Sequence, residues 1–173
     1  VVANLLGLLG VIQSIVFPEH RIWPPPGRDS WQFWVTWTVL TVATLGVPVV
    51  GLMDWGSLGY SHWVMYTTGG VLMLLGSSAI AWGVLALSLR QSFGLKGRLV
   101  TTGPYGYSRN PQYVGYLLFY PGFSLFSGSI NAFLTSLLAM LIFLFAPLAE
   151  EPWLMEQFGD EYLKYIERVP RFL

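Results

Sequence analysis

The chain contains no cysteine. Disulfides, thiolate nucleophiles and thiolate metal sites are therefore excluded. Charge is scarce as well. Only 10% of residues are Asp, Glu, Lys or Arg, where a soluble domain carries about 25%. The formal net charge is zero, so neither nucleic acid nor a strongly anionic partner is indicated. Histidine occurs at His20 and His62 alone, in loops predicted on opposite faces. There is no HExxH run and no Ser-His-Asp grouping, so no catalytic metal and no triad are expected.

What the chain does have is apolar residues, 54% of its 173. With so little charge to keep it in water, most of its surface must face lipid. A membrane-crossing helix needs about 20 apolar residues. Val1–Phe17, Trp31–Met53 and Trp63–Leu89 approach or meet that length. The stretch 111–147 is long enough for two crossings around the turn signal Ser127-Gly128-Ser129-Ile130-Asn131. These make about five transmembrane helices, the last two a tight hairpin. Pro48 is expected to kink the second helix. In the third, Ala79 and Gly83, with Gly76 and Ala86 nearby, mark a close helix contact. The chain starts at Val1, not Met, so a few residues are expected upstream. The segment 1–17 lacks a basic n-region and reads as a membrane helix more than a signal peptide.

Basic residues alternate between loops as five crossings require. Loop 18–30 holds Arg21 and Arg28, and loop 90–110 holds Arg90, Lys96, Arg98 and Arg109. The tail holds Lys164, Arg168 and Arg171, whereas loop 54–62 and the turn near 128 hold no Lys or Arg. The positive-inside rule places loop 18–30, loop 90–110 and the tail in the cytoplasm. Trp31, Trp34 and Trp37, with Trp23, Trp55, Trp63 and Trp153, lie near predicted boundaries. They fit an interfacial aromatic belt or a box gripping a substrate. Residues 150–167 read as an amphipathic helix on the membrane surface, bent at Gly159, with Asp160 able to cap its second piece.

The polar chemistry is concentrated in two places. The run Gly103-Pro104-Tyr105-Gly106-Tyr107-Ser108-Arg109-Asn110-Pro111 leads from a glycine-rich loop into an apolar helix. Asn110-Pro111 is a helix start, whose free N–H groups favour a carboxylate. It serves equally as an ordinary cap. Tyr105, Tyr107 and Tyr113 can stack on a purine or anchor in the interface. The next charged residues are Glu150-Glu151, before Pro152. They can start a helix, bind an ammonium or ribose hydroxyls, or pair with Arg109, to whose face the hairpin returns the chain. Gly94, Gly97, Gly103 and Gly106 form no GxGxxG and follow no strand, so a Rossmann site is unsupported.

Four segments, in order, carry a resemblance. They are Leu99-Val100-x-x-Gly103-Pro104-Tyr105, Arg109-Asn110-Pro111-x-Tyr113-x-Gly115, Glu150-Glu151-x-x-Leu154 and Phe158-Gly159-x-Glu161-Tyr162-x-x-Tyr165. The chain resembles the isoprenylcysteine carboxyl methyltransferase and phospholipid methyltransferase superfamily over about its C-terminal half. The resemblance implies an all-α integral membrane enzyme that uses S-adenosylmethionine and takes a lipid-like acceptor from the bilayer. It implies one domain, 1–173, with membrane helices over 1–90 and the cofactor loop, hairpin and C-terminal amphipathic helix over 91–173. Carried over, Leu99, Val100, Gly103, Tyr105, Asn110, Pro111, Tyr113, Glu150 and Glu151 become cofactor-pocket residues. Arg109 and Glu151 become catalytic or positioning residues. Arg168 and Arg171 are offered either to an anionic substrate group or to lipid headgroups. One departure is Asn110, where the superfamily carries His in an Arg-His-Pro triplet; Asn cannot titrate near neutral pH. Membrane sterol reductases, which use NADPH, are similar in this region, and a non-catalytic membrane subunit is a third reading.

Overall fold

The structure is a computed structural model and describes residues 1–59 and 62–173. Residues 60 and 61 of the expected loop 54–62 lie outside the described residues. Among the described residues seven α-helices follow in chain order: α1 Val2–Val16, α2 Trp31–Met53, α3 Trp63–Leu87, α4 Leu89–Ser92, α5 Pro111–Ser127, α6 Ile130–Phe158 and α7 Asp160–Ile166. Short 3-10 turns occupy Pro18–His20 and Gly103–Gly106. No strand is found among the described residues.

The helices α2, α3 and α6 are long and apolar enough to cross a membrane. α1 has 15 residues and α5 has 17, a little short of the ~20 that a straight span requires. Leu45, Leu52, Leu74, Leu85, Leu137 and Leu144 all point outward, as they must where the solvent is lipid. The α5–α6 hairpin turns at Gly128 and Ser129, as the sequence indicates. Gly128 takes φ +57° in the turn, and Ser129 caps α6 by accepting from the Ala132 amide at 3.0 Å.

Two boundaries differ from expectation. α3 ends at Leu87, two residues early, because Ser88 turns to φ +82° and its Oγ caps the short α4. α2 keeps its expected limits, with Pro48 inside it. α6 does not stop at Pro147 but continues through Pro147 and Pro152 to Phe158. Glu150 and Glu151 therefore lie inside a helix, not at the start of one. Gly159, at φ +50°, ends α6 where a bend is expected. Asp160 is the first residue of α7 and makes no side-chain cap.

Packing is organised around α6, which contacts α1, α2, α5 and α7. α3 stands outside this group and leans chiefly on α5. Its contact stripe includes Gly69, Gly76 and Gly83, spaced by seven, the last two of which the sequence marks. A Cβ on Gly76 would sit 2.6 Å from the Gly115 carbonyl oxygen, and one on Gly69 would sit 2.6 Å from that of Gly122. Lipid tails are as apolar as leucine, so close backbone approach and polar contacts hold such helices together. Among these contacts, Ser124 Oγ meets Ser136 Oγ at 2.9 Å, and Asn4 Nδ2 donates to the Thr135 carbonyl at 3.3 Å. The apolar core between α2, α5 and α6 comprises Val47, Tyr120, Phe123, Ala139 and Phe143.

The two ends of the bundle are tied differently. At one, Asp54 accepts from Ser57 Oγ, Ser129 Oγ and the Asn131 amide at 2.7, 2.8 and 3.1 Å. These bonds hold its carboxyl below the usual carboxylate range. The other end gathers the loop after α1, the loop before α5, the end of α6 and the tail.

Candidate active site

The α5 start and the α6 end bring the polar residues together. Asn110 occupies the N-cap position and Pro111 the first helical position of α5, as expected. The Asn110 side chain, however, does not cap. Its Nδ2 donates to the Arg171 carbonyl in the tail at 3.0 Å, while its own amide donates to Ser108 Oγ at 3.1 Å. One turn of α6 then presents Glu150 and Glu151 in different directions. Adjacent helical residues point roughly 100° apart, so the two carboxyl groups acquire unrelated partners.

Glu150 Oε1 accepts from Trp23 Nε1 at 2.5 Å and from the Tyr113 hydroxyl. Both donors are neutral, and no Lys, Arg or His nitrogen among the described residues lies within ion-pair distance of this carboxyl. Glu151 lies in the opposite electrostatic setting. Arg109 Nη1 donates to its Oε1 at 2.8 Å. Arg171 grips it with a fork, Nε to Oε1 and Nη2 to Oε2, each 2.8 Å. Glu151 in turn raises the Arg171 guanidinium above its ordinary value through these bonds. The Arg109 side chain is 8% exposed, and its Nε is buried without a hydrogen-bond partner.

Glu150, Arg109 and the loop before α5 line a cavity of about 120 Å³. The loop folds over Gln91, whose Nε2 donates to the Arg98 carbonyl at 2.7 Å. Gly94, at φ +75°, lies against the Trp23 ring, where a Cβ would come within 2.8 Å. Gln112 Nε2 donates to Ser92 Oγ at 2.9 Å and to the Tyr105 hydroxyl at 3.0 Å. Burial pushes the Tyr105 phenol above its ordinary value, so it remains protonated. On the far side Tyr162 and Tyr165 of α7 pack with Leu99, Leu154 and Phe158, and the Tyr165 hydroxyl donates to the Tyr105 carbonyl at 2.6 Å. Burial, ahead of the nearby Glu151 charge, raises the Tyr162 phenol to about 12.

A second, larger cavity of about 700 Å³ opens between α1, α2, α5 and α6. Leu6, Val39, Leu40, Tyr116, Ile142 and Phe143 are among its lining residues. Trp23, Ser92, Gln112 and Tyr113 line both cavities and form the wall between them.

Of the residues singled out in the sequence, Leu99, Val100, Tyr105, Arg109, Asn110, Tyr113 and Glu150 line the first cavity. Gly103, Pro111, Glu151, Arg168 and Arg171 do not. Pro111 is buried at the helix start, Arg168 is exposed, and Arg171 is committed to Glu151. Trp23 and Trp153 also line it, as do Gln112 and Gln157, which the sequence does not single out. The tryptophans differ in exposure. Trp31, Trp34, Trp55 and Trp63 are exposed, as belt residues are, whereas Trp23 and Trp153 are buried in the site. Trp37 lines the second cavity and stacks edge-on against Phe93. Among the described residues no group of three or more His, Asp and Glu could hold a metal ion.

A lipid-facing helical bundle with two cavities that share a wall defines an integral membrane protein. The chain belongs to the phospholipid methyltransferase family, whose model matches residues 64–161, more than half of its length. It is also similar to Protein-S-isoprenylcysteine O-methyltransferase of Schizosaccharomyces pombe, 37% identical over 73 residues. That match covers 42% of this chain and 31% of the relative, so the chain spans about a third of the relative's length. No solved structure matches the chain. The superfamily resemblance carried by the motifs is borne out, and neither the reductase nor the non-catalytic reading is favoured.

Proposed function

We propose that the protein transfers a methyl group from S-adenosylmethionine to a lipid-like acceptor at the cytoplasmic membrane face. The observation that carries this reading is the shared wall. A cavity that bears Glu150, Arg109 and Asn110 meets a larger, more apolar one at Trp23, Ser92, Gln112 and Tyr113.

The residues present fit the methyl donor. Glu151 with Arg109 and Arg171 makes a group of net charge +1, and Arg109 keeps a buried Nε without a partner. Glu150, a carboxyl with only neutral donors, lacks a cation. Uncompensated buried charges are costly, and these two, of opposite sign, are complemented by a zwitterion. The amino-acid moiety of S-adenosylmethionine brings a carboxylate and an ammonium. Tyr105, Trp153, Phe158 and Tyr162 supply aromatic faces for its purine. NADPH carries three phosphate groups instead, which would meet Glu150.

The bound donor supplies an electrophilic methyl group on a sulfonium, and displacement there is in line. Such a reaction depends above all on alignment at near-contact distance. Tyr113 and Trp23, both tied to Glu150, hold the wall at which the acceptor atom meets the donor. Tyr105 and Tyr165 close the loop over the polar side, and the apolar lining of the second cavity excludes water. The acceptor atom is a carboxylate oxygen, an amine nitrogen or a thiol sulfur on a hydrophobic body that enters from the bilayer. Five crossings, with loop 18–30, loop 90–110 and the tail on the cytoplasmic side, accommodate this arrangement.

Calorimetric titration of the detergent-purified protein with S-adenosylhomocysteine, with NADPH in parallel, tests the reading. Binding of S-adenosylhomocysteine alone is expected. Binding of NADPH alone would replace the proposal by a reductase, and binding of neither by folded protein would leave a non-catalytic subunit.

A further inference from the structure

Glu151 is absent from the cavity lining, and both of its oxygens are occupied. Its two guanidinium partners are not equivalent. Arg171 spends Nε and Nη2 on the carboxylate, whereas Arg109 spends Nη1 alone and leaves Nε buried and unpartnered. Arg109 lines the cavity; Arg171 does not.

The tail that carries Arg171 is fastened to the same loop. The Arg171 carbonyl accepts from Asn110 Nδ2 at 3.0 Å and Ser108 Oγ at 3.4 Å, and the Pro170 carbonyl accepts from the Arg109 amide at 2.9 Å. Val169 is buried against Tyr162 and Tyr165. A closed ring results: Arg109 side chain to Glu151, Glu151 to Arg171, and the Arg171 backbone back to residues 108–110.

A lone Arg109–Glu151 pair would be neutral, and its carboxylate would be free to take both edges of the Arg109 guanidinium. The Arg171 fork prevents both. It fixes the carboxylate with bidentate geometry and restores a net positive charge beside the cavity.

Resting on the methyl-donor reading above, we infer that Glu151 and Arg171 are positioning residues. They act through Arg109, holding its Nε toward the carboxylate of the donor's amino-acid moiety. Residues 169–171 are thus part of the donor site although they do not line it. Arg171 is consequently not a substrate ligand.

The test compares two ligands by calorimetry on the full detergent-purified chain. S-Adenosylhomocysteine carries the amino-acid moiety; 5′-methylthioadenosine keeps the nucleoside and thioether but lacks the ammonium and carboxylate. Arg171→Gln is expected to weaken S-adenosylhomocysteine roughly tenfold, a usual size for coupling through a second residue. It leaves 5′-methylthioadenosine within about twofold, inside measurement scatter on that scale. Arg171→Lys, which keeps the charge but cannot form the fork, is expected to fall between wild type and Arg171→Gln. It also carries the comparison if Arg171→Gln does not fold. Equal losses for both ligands would reduce the ring to a fold clasp and overturn the inference, as would no loss for either. Wild-type protein that is folded yet binds neither ligand would overturn the donor reading itself.

Discussion

Tyr113 stands on the wall between the two cavities, and its hydroxyl donates to Glu150. Removing that hydroxyl leaves Glu150 with Trp23 as its one side-chain donor. A hydrogen bond to a charged group is worth about 1.5–3 kcal/mol, and 1.4 kcal/mol is about tenfold in affinity. Tyr113→Phe is therefore expected to weaken S-adenosylhomocysteine binding roughly tenfold or more while the ring keeps its tilted contact with Phe143. Calorimetry alongside a thermal melt checks this; unchanged affinity would remove Glu150 from the donor site. Tyr113 and Glu150 are legible in the sequence because they flank one hairpin in a motif order. Trp23 is not. It reaches Glu150 from 127 residues away, and locally it reads like any tryptophan at a membrane boundary. Asn110 was legible as a cap position, but nothing near it announces that its amide serves the tail.

The helix limits of α2 emerge from the sequence because Ser30 caps one end and Asp54 the other, with apolar residues between. α6 runs past the expected end of the hairpin at 147, with Pro147 and Pro152 inside it. Within a membrane bundle neighbouring helices satisfy the freed carbonyls, and proline is tolerated in the helix interior. That continuity is why Glu150 and Glu151 point to different partners. The glycine stripe on α3 was legible as small residues, yet its period emerged only with α5 beside it. Adding one methyl group there tests the stripe. Gly76→Ala places a Cβ 2.6 Å from the Gly115 oxygen and 2.7 Å from the Phe119 amide nitrogen, both backbone atoms. Overpacking of this kind costs about 1–3 kcal/mol. Gly70→Ala, with nothing within 4 Å, is the control and is expected to be neutral or slightly stabilising. Thermal unfolding in detergent should separate the two variants. Equal melting temperatures would argue that α3 and α5 are further apart than described.

At the scale of the molecule, every titratable group near the site lies at one end, and the Asp54 clamp lies at the other. The alternation of basic loops foretold this division, since it depends only on the number of crossings. The apolar cavity was not foretold, because its existence depends on how far α1 and α2 stand from α5 and α6. The native absence of cysteine makes the orientation directly measurable. In intact cells, Lys96→Cys is expected to resist a membrane-impermeant maleimide and Asn131→Cys to react with it. The reverse pattern would invert the topology and put the donor cavity outside the cytoplasm. The common wall of the two cavities also matters for inhibitor chemistry. One molecule with a polar head in the first cavity and an alkyl arm in the second turns two binding events into one intramolecular event, gaining through effective concentration. Its tether must pass Trp23, Ser92, Gln112 and Tyr113. None of these carries a formal charge, so a short uncharged linker suits the passage.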